Sequence, residues 1–186
     1  MPKLTPQEID AFLDERGHLA RIATVCPDGS PSVVPVWFLY ERGRIHITPR
    51  KHSEFGHNLR RDPRTSIAID EEAGPYRKVI VEGRVEFLYE DGQDDRWRDL
   101  YRRIARRYVD DASADYYITE TMDQPRSLIA IELAKARVTT WRMPREGEPY
   151  TGIWAKRYYV EGSKMRQLAE SGAGAAAGDK LRIGRT

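Results

Sequence analysis

Tyr76-Arg77-Lys78-Val79-Ile80-Val81-Glu82-Gly83-Arg84-Val85-Glu86-Phe87-Leu88-Tyr89 is the stretch that decides the fold. Val79, Val81, Val85 and Phe87 fall on one side of an extended chain, with Glu82, Arg84 and Glu86 on the other. That period of two marks a half-buried β-strand, because successive side chains of a pleated chain point to opposite faces. A strand this long in a small sheet bends to serve two sheets or to close a barrel. Gly83 interrupts the inward row, which points to a bulge or a close backbone approach.

The same alternation spreads outward from this stretch. His18 to Cys26 reads as a first strand, followed by turn chemistry at Pro27-Asp28-Gly29-Ser30. Ser32 to Tyr40, rich in β-branched and aromatic residues, is the second. Glu41-Arg42-Gly43 turns the chain into a third, Arg44 to Thr48, where Ile45 and Ile47 alternate with polar neighbours. No helix intervenes, so these three form an antiparallel meander. Thr65 to Asp70 is the fourth strand, Tyr76 to Tyr89 the fifth and Ser127 to Trp141 the sixth.

Helices flank the strands. Thr5-Pro6-Gln7-Glu8 is a capping box with proline at the first helical position, opening a short helix that Gly17 stops. Ser53 is the N-cap of a second helix that ends at Asp62-Pro63. Asp94 to Val109 spaces Trp97, Leu100, Tyr101, Ile104 and Tyr108 as an amphipathic helix, and a weaker helix runs from Asp110 to Met122. The sum is a mainly β fold: a barrel of six antiparallel strands with flanking helices. Residues 1–160 read as one domain and residues 161–186 as a C-terminal tail, flexible in composition after Glu170.

Composition removes several classes. The chain is 40% hydrophobic and 32% charged, as soluble globular proteins are. No apolar run approaches the roughly 18 residues needed to cross a bilayer, and Met1-Pro2-Lys3-Leu4 lacks a signal-peptide core. Cys26 has no second cysteine to pair with, so a cytoplasmic location is expected. With 31 Lys+Arg against 29 Asp+Glu, charge gives no case for nucleic acid. Basic residues do cluster, at Arg50-Lys51-His52, Arg60-Arg61 and from Arg102 to Arg107; such clusters suit a small anionic ligand or a solvated face.

Signatures of self-contained catalysis are missing. There is no Gly-rich phosphate loop and no nucleophile elbow. His18, His46, His52 and His57 are not at zinc-ligand spacing, so no metal site is expected. Chains of this kind either bind without turnover or borrow reactivity from an organic cofactor.

Five blocks carry a resemblance: Ala23 to Pro31, Val34-Pro35-Val36-Trp37-Phe38, Ile47 to Ser53, Asn58-Leu59-Arg60-Arg61-Asp62-Pro63-Arg64, and Pro75 to Glu86. In content and order they resemble the pyridoxamine 5'-phosphate oxidase-like family of FMN-binding split barrels, particularly its flavin- and deazaflavin-dependent oxidoreductases. The resemblance implies a homodimer with FMN in clefts between the subunits, acting on a small-molecule substrate. It implies that Val33, Val34, Pro35, Val36 and Trp37 lie along the flavin ring, Pro35 suiting a sheet edge. It places the cofactor phosphate at Ile47, Thr48, Arg50, Lys51, His52 and Ser53, ahead of a helix N-terminus that favours anions. Lys78 matches a position that reaches the ring's pyrimidine edge, where a cation stabilises charge developing on reduction. Tyr150, Trp154, Tyr158 and Tyr159 either cap a substrate pocket or pack against barrel and partner.

One departure bears on the ligand. Counting back from Asn58 and Pro63, the family's Ser-Arg-Lys signature falls on Ser53-Glu54-Phe55. Either Arg50-Lys51 takes over from a loop one residue longer, or the phosphate site is weakened. A deazaflavin coenzyme, whose acidic tail suits Arg60 and Arg61, and a non-catalytic flavin- or haem-binding barrel therefore stay open as alternatives. Nucleic-acid binding through Arg98, Arg102, Arg103, Arg106 and Arg107 is opposed by the flanking acids.

Overall fold

The computed structural model describes residues 2–145, 148 and 158–171. Among the described residues, nine strands follow in chain order: Ala20–Val25 (β1), Pro31–Val36 (β2), Leu39–Glu41 (β3), Arg44–Ile47 (β4), Arg64–Asp70 (β5), Lys78–Arg84 (β6), Glu86–Tyr89 (β7), Leu128–Glu132 (β8) and Arg137–Trp141 (β9). The helices are Pro6–Asp14 (α1), Glu54–Arg61 (α2), Arg98–Ala105 (α3), Asp111–Glu120 (α4) and Lys164–Ser171 (α5). One sheet has the order β2-β1-β5-β6-β9 and the other β3-β4-β8-β7. All seven pairings of named strands are antiparallel.

The six extended runs read from the sequence are all present, and three of them pass from one sheet to the other. Ser32 to Tyr40 divides at Trp37-Phe38 into β2 and β3, and Tyr76 to Tyr89 divides at Val85 into β6 and β7. Ser127 to Trp141 divides at a 3-10 turn, Leu133–Lys135, into β8 and β9. The meander expected over residues 18–48 is therefore two hairpins, one in each sheet. Each crossing finds hydrogen bonds outside the ladder, as buried backbone must. The Phe38 N–H donates to the Tyr108 hydroxyl at 3.1 Å, and that hydroxyl donates to the His18 carbonyl at 2.7 Å. The Val85 N–H donates to the Pro63 carbonyl at 2.9 Å. Gly83 makes the expected close approach: a Cβ there would lie 3.2 Å from Ala136 Cβ and 3.3 Å from Ile131 Cδ1.

The core lies between the sheets, built from Ile22, Phe38, Ile45, Ile67, Ile69, Val79, Val81, Ile129 and Ile131, with Phe12 and Leu13 of α1. Burying each such side chain contributes about 1.5–3 kcal/mol. Trp97, Tyr101, Ala105, Ala114, Ile118 and Leu128 form a second cluster that seats α3 and α4. The helix expected from Asp94 to Val109 is shorter than its apolar spacing suggests. A 3-10 turn, Asp94–Arg96, precedes α3, because Trp97 leaves the helical path (φ −138°) to bury its ring. Beyond α3, the buried Arg107 donates to the carbonyls of Leu13, Asp14 and Glu15 at 2.9, 3.0 and 2.7 Å. It thereby satisfies the free carbonyls at the end of α1.

The capping box of α1 forms as read, with Glu8 N–H to Thr5 Oγ1 at 3.2 Å and Thr5 N–H to Glu8 Oε2 at 2.8 Å. The segment read as a C-terminal tail includes α5, and residues 172–186 lie outside the described residues, as do Tyr150 and Trp154. Tyr158 is exposed and Tyr159 buried. No helix among the described residues is long and apolar enough to cross a membrane.

Candidate functional site

The β4–β8 ladder pairs Ile47 with Ile129, and its register runs on past the strand ends. Three residues further, Arg50 stands opposite Arg126 in an isolated antiparallel bridge. The Lys51 N–H donates to the Pro125 carbonyl at 2.9 Å, and the Ser127 N–H to the Pro49 carbonyl at 3.1 Å. Two arginines are thus cross-strand neighbours. Like charges directly opposite each other are unfavourable, so the arrangement needs a compensating partner.

That partner is not an acid. Both guanidiniums donate to the Tyr117 hydroxyl, Arg50 at 3.1 Å and Arg126 at 3.0 Å. Arg126 also donates to the Thr48 carbonyl at 3.2 Å and lies 4.8 Å above the Tyr101 ring. Among the described residues, no carboxylate forms an ion pair with either guanidinium, and Arg126 Nε has no hydrogen-bond partner. The Asp94 carboxylate is taken up by backbone, accepting from the N–H of Arg126 at 3.0 Å and of Gly92 at 3.2 Å. Arg126 is only 6% exposed. An uncompensated buried charge costs on the order of several kcal/mol, of which a cation–π contact returns about 1–2.

The phenols respond in opposite directions. Burial pushes the Tyr117 hydroxyl up, but the neighbouring Tyr101 hydroxyl and the charges of Arg50 and Arg126 outweigh it, and the group lies below the usual phenol value. Burial pushes Tyr101 up.

These groups face a cleft of about 210 Å³, lined also by Val36, Trp37, Ile47, Thr48, Ser53 and Phe55. Trp37 is fixed by stacking on Tyr108 (5.1 Å, 3° between planes) and by an edge contact with Tyr117 (5.6 Å, 64°). A second cleft of about 370 Å³ opens alongside, lined by Arg50, Lys51, His52, Ser53, Gln124 and Pro125. Arg50 and Ser53 belong to both. Helix α2 is seated by its buried Asn58, which donates to Thr24 Oγ1 at 3.2 Å and to Cys26 Sγ at 3.7 Å.

The residues singled out in the sequence divide accordingly. Val36, Trp37, Ile47, Thr48, Arg50 and Ser53 meet at the first cleft, and the exposed Lys51 and His52 stand at the second. Val34 packs on the core, while Val33 (60% exposed) and Pro35 point to the opposite face of β2, which is a sheet edge. Lys78 is on that outer face too, its Nζ 4.7 Å above the Trp141 ring, and the structure does not bring it to the cleft of its own chain. Ser53 sits at the N-cap of α2, but its hydroxyl donates to the Arg50 carbonyl at 2.7 Å instead of accepting from the helix. Glu54 places an acid in the first turn of α2, and Phe55 forms part of the cleft wall. Tyr101, Tyr117 and Arg126 were not foreseen.

Two other groupings are engaged in whole or in part. Arg60 pairs with Glu90 and with Asp91 (3.0 Å) and donates to Ser127 Oγ at 2.7 Å, while Arg61 donates to the Val25 carbonyl. Arg60 is thereby neutralised, whereas Arg61 is exposed and forms no ion pair among the described residues. Glu15, His18 and Glu71 converge as metal ligands do, but Arg77 pairs with both carboxylates at 2.6–2.8 Å.

Two antiparallel sheets exchanging strands, with a basic cleft where β4 and β8 run on together, define a split barrel. A family model described as pyridoxamine 5'-phosphate oxidase matches residues 5–142, and the chain belongs to this family of split barrels. Among solved structures it is similar to the conserved hypothetical protein Rv2991 of Mycobacterium tuberculosis, at 24% identity and a TM-score of 0.60, over 81% of this chain and 92% of that one. It is similar to an FAD-binding protein of Mesorhizobium loti (21% identity, TM-score 0.54, 75% of this chain and 95% of that one). An F420 reductase matches at 22% identity and a TM-score of 0.50, over 68% of this chain and 93% of that one. At these identities the likeness is one of fold. No curated protein matches the chain in sequence.

Proposed function

We propose that the chain is an oxidoreductase that binds FMN between two copies of itself and passes hydride to or from a small organic substrate. The observation that carries this reading is a pair of guanidiniums facing a cleft with no carboxylate paired to them among the described residues. Arg50 is placed to grip a phosphate bidentately and Lys51 to add a point charge, with His52 and the Thr48–Ser53 backbone around them. Val36 and Trp37 offer an apolar wall for a planar ring. When bound, the flavin supplies the two-electron chemistry that the side chains lack. The chain's own contribution is to hold the phosphate, orient the ring and exclude water.

Two features support pairing of copies. The cleft of about 210 Å³ that would take the ring is smaller than the ~300–1,000 Å³ of a complete small-molecule site, and the adjoining cleft of about 370 Å³ offers polar groups for the phosphate and little apolar wall. The outer face of β2, β1, β5 and β6 carries the small and apolar side chains of Val33, Pro35, Ala23, Ala68 and Ile80, bordered by the charged Arg21, Asp70 and Glu82. In such a dimer Lys78, on the same face, would act on the partner's cofactor. Light scattering of the wild type and of Val33→Glu tests this: a dimer that the charge splits is expected, and a monomeric wild type would overturn it.

A deazaflavin on the same cleft is the second reading, favoured by the likeness to an F420 reductase. Its acidic tail would meet Lys51 and His52, or the exposed Arg61, since Arg60 is engaged. Titrating apo-protein with FMN, and recording the absorbance of whatever co-purifies, separates the two. Arg50→Ala and Lys51→Ala are each expected to weaken FMN about tenfold, the worth of one charge-assisted hydrogen bond. Unaltered affinity in both would remove the phosphate from this corner.

A further inference from the structure

Arg126 is a buried cation without a counter-charge among the described residues. Other buried arginines have oxygen partners in number: Arg107 holds three carbonyls, and Arg142 grips Glu148 with both arms at 2.7 and 2.8 Å. Arg126 has one carbonyl, one phenol and an aromatic face, forms no ion pair among the described residues, and stands cross-strand from a second arginine. The Tyr117 oxygen shows where a ligand oxygen fits, since it lies within hydrogen-bond distance of both guanidiniums. At the start of α2, Phe55 adds an apolar ring to the cleft wall and Glu54 turns to accept from Cys26 Sγ at 3.4 Å, so neither side chain brings a positive charge.

We propose that Arg126 is a binding residue for the phosphate-type oxygens of an anionic ligand. Paired with Arg50 through the β4–β8 register, it supplies from the approach to β8 the charge that Glu54 and Phe55 do not supply from α2. The ligand exchanges with the phenol for the guanidinium N–H groups, and Tyr117 then donates its own proton to the anion. The identity of the ligand as FMN rests on the reading above; the receptor for a phosphate group does not.

The test compares FMN with riboflavin, the same ring without the phosphate, on wild type, Arg126→Gln and Arg126→Lys, each checked for folding by thermal melting. Arg126→Gln is expected to lose about tenfold or more in FMN affinity while riboflavin changes less than about twofold, with part of the loss restored in Arg126→Lys. Undiminished FMN affinity in Arg126→Gln overturns the proposal and leaves the flavin reading standing. So does a parallel loss of both ligands in a folded variant. If the wild type binds neither flavin, the flavin reading fails, and calorimetry with inorganic pyrophosphate decides. Binding by wild type that Arg126→Gln lacks supports the receptor, and no binding by wild type overturns it. Should neither variant fold, the Arg126 Nε–H resonance of labelled wild type is followed instead: pyrophosphate shifts it if the proposal holds and leaves it in place if it does not.

Discussion

The arginines of α3 and the arginines of the cleft occupy opposite electrostatic conditions. Arg98 pairs with Asp95 at 2.7 Å, Arg102 with Asp115 at 3.3 Å, Arg103 with Glu41 at 2.8 Å, and Arg106 with Asp111 and Asp115 at 3.4 Å. Arg107, next in line, is spent on the end of α1. Arg50 and Arg126 share a phenol. In the sequence the first group is the denser and the more conspicuous; in space it is neutralised, and the sparse pair is not. Density of charge along a chain says little about binding. What matters is whether the fold brings an opposite charge to meet it.

Four measurements would break or sharpen that contrast. Arg107→Ala has the largest expected effect on folding: three charge-assisted hydrogen bonds go, about 3 kcal/mol, a fall in Tm of roughly 6–12 °C. Riboflavin binding to whatever remains folded is expected to be unchanged. Arg50→Ala is expected to do the reverse, leaving stability level or raising it by up to about 1 kcal/mol as the cross-strand repulsion is relieved. A large loss of stability in Arg50→Ala, read by urea denaturation, would make that arginine structural and erase the contrast. Arg103→Ala, which breaks a pair on a half-exposed surface, is expected to cost less than about 1 kcal/mol by the same method.

The smallest signal is optical. Tyr117 is expected to ionise below the ordinary phenol range and Tyr101 above it, so the alkaline absorbance titration should lose its earliest phenolate step in Tyr117→Phe. A bound anion disfavours a neighbouring phenolate, so pyrophosphate should move that step to higher pH. Movement the other way would mean that the anion binds elsewhere.

The strands were legible because burial imposes alternation, and alternation survives even where a strand changes sheets. That same persistence hid the crossings. Val81 and Val85 are both buried on either side of Gly83, although one belongs to β6 and the other follows it into β7. Trp37-Phe38 continues an apolar run through the point where the chain leaves the first sheet. Arg50 could be found from its basic neighbours and the helix that follows. Tyr117 and Arg126 could not: Tyr117 lies 67 residues from Arg50, one of the two arginines it meets, and next to an exposed Tyr116 of the same type. Arg126 follows Pro125 into an ordinary strand, and it is buried by distant residues, Tyr101 of α3, Tyr117 of α4 and Thr48 among them. Local pattern carries the architecture, whereas the site is assembled from long-range meetings.

The continuation of the β4–β8 register past the strand ends makes the two arginines a matter of counting. Adding a single residue between Ile47 and Pro49 would turn the guanidinium to the other side of the chain and set Pro49 against Arg126. The distance from the last ladder pair thus works as an address. Related barrels that keep this address can be searched by position within the ladder, even where no run of neighbouring residues looks alike.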